Sequence, residues 1–260
     1  MRMMSETQKR GEQMFFTILT ILAFVIFFIV TLPFLIILLL VKLVNPKLAS
    51  VIGQPIVCGF GFRLVLLFSG VRREIRGKEN IPKEGPVLFV ANHRGFFDIP
   101  ASYSAVPVTK RTAYVSKKEI KKVPFLSWWM IVLNDIFIDR SNPKEGLKAI
   151  KQAIEEVNQG WSVFIMPEGT RSSEPGVQEF KGGSFKIAER TGCPVIPVAI
   201  TMADEVFENH RPKVKPQRMV VSFGKPIPMA GLSRDEMREV PEKAQREVVR
   251  LYEEAMAAVR

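Results

Sequence analysis

Cysteine and histidine are almost missing from this chain: two of each occur in 260 residues. Cys58 and Cys193 stand far apart and in no metal-ligand spacing, so neither a disulfide framework nor a zinc site is expected. Two reduced thiols in a cytosol-facing domain fit best, with Cys193 packed before a valine-rich strand. Neither a G-x-S-x-G elbow nor a Walker loop is present, and no serine is marked as a nucleophile. Internal repeats and low-complexity tracts are missing too. Acid is the other shortage: 26 Asp and Glu face 37 Lys and Arg, a net charge of +11. That balance implies an anionic partner, and charge alone leaves nucleic acid, anionic lipid and a phosphorylated substrate open. The base is unevenly spread. Thr109 to Phe125 holds Lys110, Arg111, Lys117, Lys118, Lys121 and Lys122 against Glu119 alone, and Arg211 to Lys225 holds five basic residues and no acid. Each run also reads as a solvated basic face.

What the chain has in abundance is apolar sequence at its start. Phe15 to Val41 is an uncharged run of 27 residues. As one helix it would be roughly 40 Å long, more than the ~30 Å hydrocarbon core of a bilayer requires. Pro33 interrupts it, so a kink or a re-entrant bend is expected. A cleaved signal peptide fits poorly, because the run is too long and no A-x-A-like site follows. A second apolar stretch, Val51 to Val71, carries Arg63 near its middle and reads as interfacial or packed on the domain. Basic residues flank the first run on both sides, Arg2, Lys9 and Arg10 before it and Lys42 and Lys47 after it, so orientation stays undecided. The run either spans once or dips in as a bent hairpin. Both attach the chain to a membrane.

Beyond residue 80 the pattern changes to short strand-like runs alternating with helical ones. Pro86 to Ala91, Thr112 to Val115, Ile136 to Ile138, Val163 to Met166, Val195 to Ile200 and Met219 to Phe223 read as strands, mostly buried on both faces. A helix begins with Asn142 as N-cap and Pro143 at its first position; Leu147, Ile150, Ile154 and Val157 form its apolar side, and Gly160 ends it. A last helix follows the Ser233–Glu236 capping box or starts afresh at Pro241, burying Val248, Leu251, Tyr252 and Ala255. The expected fold is α/β: a single domain over residues 76–260 with a mixed, mostly buried sheet wrapped by helices. An N-terminal apolar helical membrane-attachment element, residues 1–75, precedes it.

The candidate chemistry sits where apolar strands open into polar turns. His210 lies in a polar stretch, Glu208 to Pro212, and reads as a solvated loop residue. His93 instead follows the strand PVLFVA directly, within Asn92-His93-Arg94-Gly95-Phe96-Phe97-Asp98. In one continuous helix His93 and Asp98 would point about 140° apart. A turn at Gly95 with a helix starting near Phe97 would fold Asp98 back, letting its carboxylate hold one imidazole N–H and leave the other nitrogen as a base. The competing reading is a capping aspartate beside an ordinary strand-end histidine. Val163 to Met166 likewise runs into Pro167-Glu168-Gly169-Thr170-Arg171-Ser172. Backbone N–H groups near Gly169 and the guanidinium of Arg171 suit a phosphate, unless the stretch is a surface turn with a Glu168–Arg171 salt bridge. Ile136 to Ile138 ends in Asp139-Arg140. Three strands ending in charge suggest one shared site at the sheet edge.

Together these residues resemble the glycerophospholipid acyltransferase superfamily, specifically the bacterial 1-acyl-glycerol-3-phosphate acyltransferases. Its N-H-x-x-x-x-D motif matches Asn92, His93 and Asp98, and F-I-D-R is Phe137 to Arg140. F-P-E-G-T-R-S appears as Met166 to Ser172 with Met leading, and the V-x-P-V strand as Val195 to Val198. Phe180 to Gly183 is similar to the family's F-K-x-G segment. The four motifs occur in the family's order between about Ile81 and Lys225.

The resemblance implies transfer of a fatty acyl group from acyl-CoA or acyl-ACP (acyl carrier protein) to lysophosphatidic acid, with no cofactor, no metal and no acyl-enzyme. It implies His93 as base and Asp98 as its orienter, Glu168 and Gly169 positioning the glycerol, and Arg140 and Arg171 holding the phosphate with help from Lys117. Asn92 and Thr170 belong to the same substrate-binding set. Expected partners are membrane lipids, lysophosphatidic acid and the acyl donor, not nucleic acid. The expected location is the cell membrane, with the catalytic domain facing the cytoplasm. The basic run with Phe125, Trp128 and Trp129 rests on anionic headgroups, docks an acidic carrier protein, or places its aromatics in a helix core. Glycerol-3-phosphate or another lysophospholipid as acceptor, and thioester or lipid hydrolysis by the same base, are the alternatives.

Overall fold

A computed structural model describes residues 6–171 and 176–259; Arg2, the side chain of Lys9 and Ser172 fall outside this description. In chain order the elements are α1 (Glu6–Val44), α2 (Pro46–Gln54), α3 (Phe62–Phe68), β1 (Arg72–Arg76), β2 (Leu88–Ala91), α4 (Asp98–Tyr103), β3 (Thr112–Lys117), α5 (Leu126–Val132), β4 (Ile136–Ile138), α6 (Pro143–Asn158), β5 (Ser162–Ile165), α7 (Lys186–Thr191), β6 (Val195–Ile200), α8 (Ala203–Val206), β7 (Arg218–Phe223) and α9 (Arg234–Val259). The strands form one sheet in the order β1-β7-β6-β2-β5-β3-β4. Every neighbouring pair is parallel except β6–β7.

Strands β2, β5 and β6 are buried along their whole length, which is why they read as unbroken apolar runs. Alternation then divides their side chains between two cores. Phe89 and Ala91 point to the core under α1, α3, α4 and α5; Leu88 and Val90 point to the core under α6, α7 and α9. The six expected strands all form, within a residue or two of their ends. The seventh, β1, escaped detection because its sequence RREIR is mostly charge. It is an edge strand, where charge is tolerated and discourages pairing with other chains. Glu74 bonds Arg76 at 2.6 Å within β1 and Arg218 of β7 at 2.6 Å. The sheet therefore begins at Arg72, inside the segment assigned from the sequence to the N-terminal element.

Pro33 does not turn the chain back. Helix α1 continues through it, and the reversal falls at Asn45, whose side chain caps α2 at Leu48 N. The stretch Pro46–Phe68, with a π-helical turn at Pro55–Gly61, runs back along α1. Gly61 permits this approach: a Cβ there would fall 2.6 Å from the Phe27 ring. Val57, Cys58, Val65 and Leu66 are buried against the domain and Arg63 is exposed, in line with a stretch packed on the domain. By length and composition both Glu6–Val44 and Pro46–Phe68 are apolar enough to cross a membrane. One side of α1 buries Ala23, Phe27, Leu35 and Leu38, while Ile18, Ile21, Leu22, Val25, Ile26, Ile29 and Val30 face outward.

One detail of the helices differs from expectation, and another decides between two readings. In α6 the buried side is Ala149, Ala153 and Val157, and Leu147 is 57% exposed. Small residues at i, i+4 and i+8 let this helix sit close to the sheet, so the larger Leu147 is turned outward. Helix α9 starts at the capping box, Glu236 N bonding Ser233 Oγ and Ser233 N bonding Glu236, and runs through Pro241. Val240, Ala244, Val248, Tyr252 and Ala255 are buried there, with Leu251 half-buried. Both cysteines are buried and free.

Candidate active site

Strands β2, β5, β3 and β4 are adjacent and parallel, so their C-terminal ends open on one edge of the sheet, where open α/β architectures place ligands. Asn92 fixes the central exit. Its amide nitrogen donates to Ile200 O and its oxygen accepts from Ile200 N, both at 2.8 Å, bracing the end of β2 to the end of β6. The side chain is fully buried in this brace, which fixes the end of β2 beside His93.

The next residues leave the strand as a tight loop. Asp98 N donates to Gly95 O and Ile99 N to Phe96 O, and α4 begins at Asp98. The turn folds the carboxylate back onto the imidazole: Asp98 Oδ2 lies 2.8 Å from His93 Nδ1 and accepts from Arg94 N at 2.7 Å and Gly95 N at 2.8 Å. Asp98 is fully buried, and 15% of the His93 side chain is exposed. With Nδ1–H donated to the carboxylate, Nε2 keeps its lone pair. Gly95 is required by close approach, because a Cβ would fall on the Glu208 carboxylate and the Ala203 backbone. On the far side of the turn the Phe96 ring meets Phe24 of α1 edge-on at 6.2 Å.

Glu168 arrives from the end of β5 and accepts from His93 N at 3.2 Å. Its other oxygen is buried without a hydrogen-bond partner. Burial pushes this carboxyl up to about 7, against the lowering effect of the His93 and Gln178 backbone N–H groups. Gly169 follows in the left-handed region (φ +85°), and a Cβ there would stand 2.8 Å from Lys181 Nζ. Thr170 and Arg171 are exposed. Arg171 does not pair with Glu168; its Nη1 donates to Glu208 Oε1 at 2.8 Å. His93, Asp98 and Glu168 are thus in direct contact.

Lys117 and Arg140 end β3 and β4 on the same edge, with Lys117 opposite Ile138, but neither bonds the central group. Lys117 pairs with Glu119 at 3.5 Å, Arg140 is exposed, and Asp139 pairs with Lys118 at 3.2 Å. His210 is not a free loop residue: its Nε2 lies 3.1 Å from Glu205. Of the aromatics in the basic segment, Trp129 is core and Trp128 and Phe125 remain partly exposed.

Two participants, Arg94 and Glu208, were given no role from the sequence, and a third, Lys181, lay in the F-K-x-G segment without an assigned one. Arg94 is 8% exposed and held by Asp204, with Nε to Oδ2 at 3.1 Å. Glu208 anchors Phe96 N and Arg171, and Lys181 overlies Gly169. The available signal was the acid cluster Asp204, Glu205 and Glu208, since a buried arginine in the His93 loop needs a carboxylate from elsewhere.

An open α/β sheet whose strand ends present an imidazole backed by a buried carboxylate defines a protein equipped for proton abstraction. The chain belongs to the Acyltransferase family, whose model matches residues 72–201. It is 29% identical to a 1-acyl-sn-glycerol-3-phosphate acyltransferase of Saccharomyces cerevisiae over 191 residues, 72% of this chain and 62% of that relative. It is 36% identical to a 1-acyl-sn-glycerol-3-phosphate acyltransferase of Pseudomonas aeruginosa over 143 residues, 55% of this chain and 54% of the other. The matched stretches thus span less than two thirds of both relatives. The crystal structure of a 1-acyl-sn-glycerophosphate acyltransferase from Thermotoga maritima superposes with TM-score 0.70 at 27% identity, covering 94% of this chain and 97% of that one.

Proposed function

We propose that the protein transfers a fatty acyl group from acyl-CoA or acyl-ACP to the sn-2 hydroxyl of 1-acyl-glycerol-3-phosphate, giving phosphatidic acid. The observation that carries this reading is the 2.8 Å contact between His93 Nδ1 and the fully buried Asp98. His93 Nε2 takes the proton of the acceptor hydroxyl, and the oxygen attacks the thioester carbonyl. The C–S bond then breaks, and the departing thiolate takes the proton from the imidazolium. No side-chain nucleophile is used. Asp98 keeps the ring oriented and stabilises its charged form, as a carboxylate behind a catalytic histidine does in other acyl-transfer sites.

Glu168, with one oxygen free of hydrogen bonds, positions the glycerol together with Gly169 and Thr170. Arg171, Arg140 and Lys117, exposed along the same edge, hold the phosphate. The names of the relatives support lysophosphatidic acid as acceptor. The outward apolar side of α1 supports attachment to a membrane, where an amphiphilic acceptor is met by diffusion in two dimensions; a cytoplasmic position of the domain is part of the proposal.

The test is acyl transfer by purified protein in lipid, with labelled acyl-CoA and acyl-ACP against lysophosphatidic acid, glycerol-3-phosphate and other lysophospholipids. His93→Ala is expected to lower turnover by about 10²–10⁴-fold or more while fold and vesicle binding persist. Undiminished turnover in that variant removes the proposed base. Labelled free fatty acid in place of ester assigns the site to hydrolysis.

A further inference from the structure

We propose that Glu208 is a positioning residue of this site: one carboxylate oxygen sets both the turn that carries the base's partner and the arginine that faces the acceptor phosphate. The inference rests on the acyl-transfer reading above. Glu208 opens the short turn after α8, and its side chain is 13% exposed. Oε1 accepts from Phe96 N at 2.9 Å, from Arg171 Nη1 at 2.8 Å and from Arg211 Nη2 at 3.2 Å. Oε2 is buried and makes no hydrogen bond.

Two features separate this group from an ordinary surface ion pair, which contributes little. The carboxylate occupies the space that a Cβ at Gly95 would need, so the loop between His93 and Asp98 is shaped around it. One of its donors is also a main-chain N–H of that loop, two residues before Asp98. A mostly desolvated carboxylate taking charged and main-chain donors makes stronger, better-directed bonds than an exposed one.

The consequence for the acceptor follows from geometry and charge. Arg171 gives Nη1 to Glu208 and is 47% exposed, which leaves other donors of its planar fork for an anion at the mouth. Arg211, 54% exposed, shares the same oxygen. Two guanidiniums on one carboxylate leave a net positive charge beside the turn, suited to a phosphate monoester. Glu208 therefore holds the phosphate grip and the His93–Asp98 turn in one register, and Arg211 joins Arg171 as a second cation facing the phosphate.

The experiment pairs kinetics with a binding measurement that does not depend on turnover. Glu208→Gln keeps a carbonyl for Phe96 N–H but loses the charge that fixes the arginines. It is expected to raise the KM for lysophosphatidic acid about tenfold while kcat falls less than about threefold. Glu208→Ala strips the acceptor from Phe96 N as well and lowers kcat about tenfold further. In an Arg171→Ala background Glu208→Gln adds little to KM, because the grip it positions is gone. Inorganic phosphate, titrated calorimetrically, binds about tenfold more weakly to Glu208→Gln than to the parent. Additive effects of Glu208→Gln and Arg171→Ala on KM, or phosphate affinity unchanged by Glu208→Gln, overturn the proposal. If the parent protein acylates no acceptor, the functional reading fails, and the phosphate titration still decides the role of Glu208.

Discussion

Helices α1 and α9 are the two longest in the molecule as described and each carry an internal proline; α1 packs on α2, α3 and α5 on one side of the sheet and α9 directly on β6 and β7 on the other, yet their outer faces are opposites. The outside of α9 is laced with ion pairs: Arg238–Asp235, Arg246–Glu242 and Arg250 with Glu247 and Glu254. The outside of α1 is isoleucine, valine, leucine and phenylalanine, with Ile29 67% and Val30 59% exposed. Inward, both helices use spaced apolar residues to close a core. The difference teaches that a sheet can be covered from two solvents at once: α9 is finished for water, and α1 is finished for an apolar medium, which the proposed function supplies as lipid.

The largest effect expected from attacking this contrast comes from charge placed on the outer side of α1. Ile26→Lys with Ile29→Lys removes two large apolar contacts and adds two charges. At about 2–3 kcal/mol per lost side chain, plus a comparable cost per charge, partition to zwitterionic vesicles falls by more than about 100-fold. Glu242→Lys on α9 changes it by less than about threefold. Equal partition of the two variants in a co-sedimentation assay would remove the contrast.

A second, smaller effect probes the inner contact of α1. Asp135, fully buried near Lys42 at the end of that helix, is raised to about 7 by burial, although the Tyr103 hydroxyl and Tyr114 N–H pull it down. The folded protein therefore holds a proton that the unfolded chain releases near 3.8. Stability present at low pH is lost as pH rises from about 4 through about 7, by an amount on the order of a few kcal/mol. Urea midpoints in detergent across that window should fall with pH, and Asp135→Asn should make the slope shallower, the remainder belonging to Glu168, which burial also raises to about 7. A rising midpoint would show that another group dominates. The smallest effect belongs to the water-facing side: Arg246→Ala, which removes an exposed i,i+4 pair, should cost no more than about 0.5 kcal/mol in thermal unfolding.

Much of this architecture was readable from the residues because central parallel strands cannot hide. β2, β5 and β6 are apolar on both faces, and the polar residues that follow them mark where the chain leaves the core. β1 was not readable, since its charged side chains are half-buried at the sheet edge by pairing with neighbours such as Arg218 and Ala101 O, which no apolar pattern announces. The re-entrant bend that Pro33 offered as one reading does not form there: α1 runs on through Pro33, and Asn45–Pro46, a cap followed by a first-position proline, is the break. His93 and Asp98 were legible because one short loop contains both. Glu208 was not, since it lies 112 residues beyond the Phe96 N–H it binds, and only the folded sheet brings β6's exit beside β2's. Asn92, the first residue of the family motif, makes that adjacency.

The ring of Phe24 resting on Phe96 has one more implication. Helix α1, whose outer side is apolar, touches the loop between His93 and Asp98, so a shift of that helix would be felt directly by the carboxylate behind the imidazole.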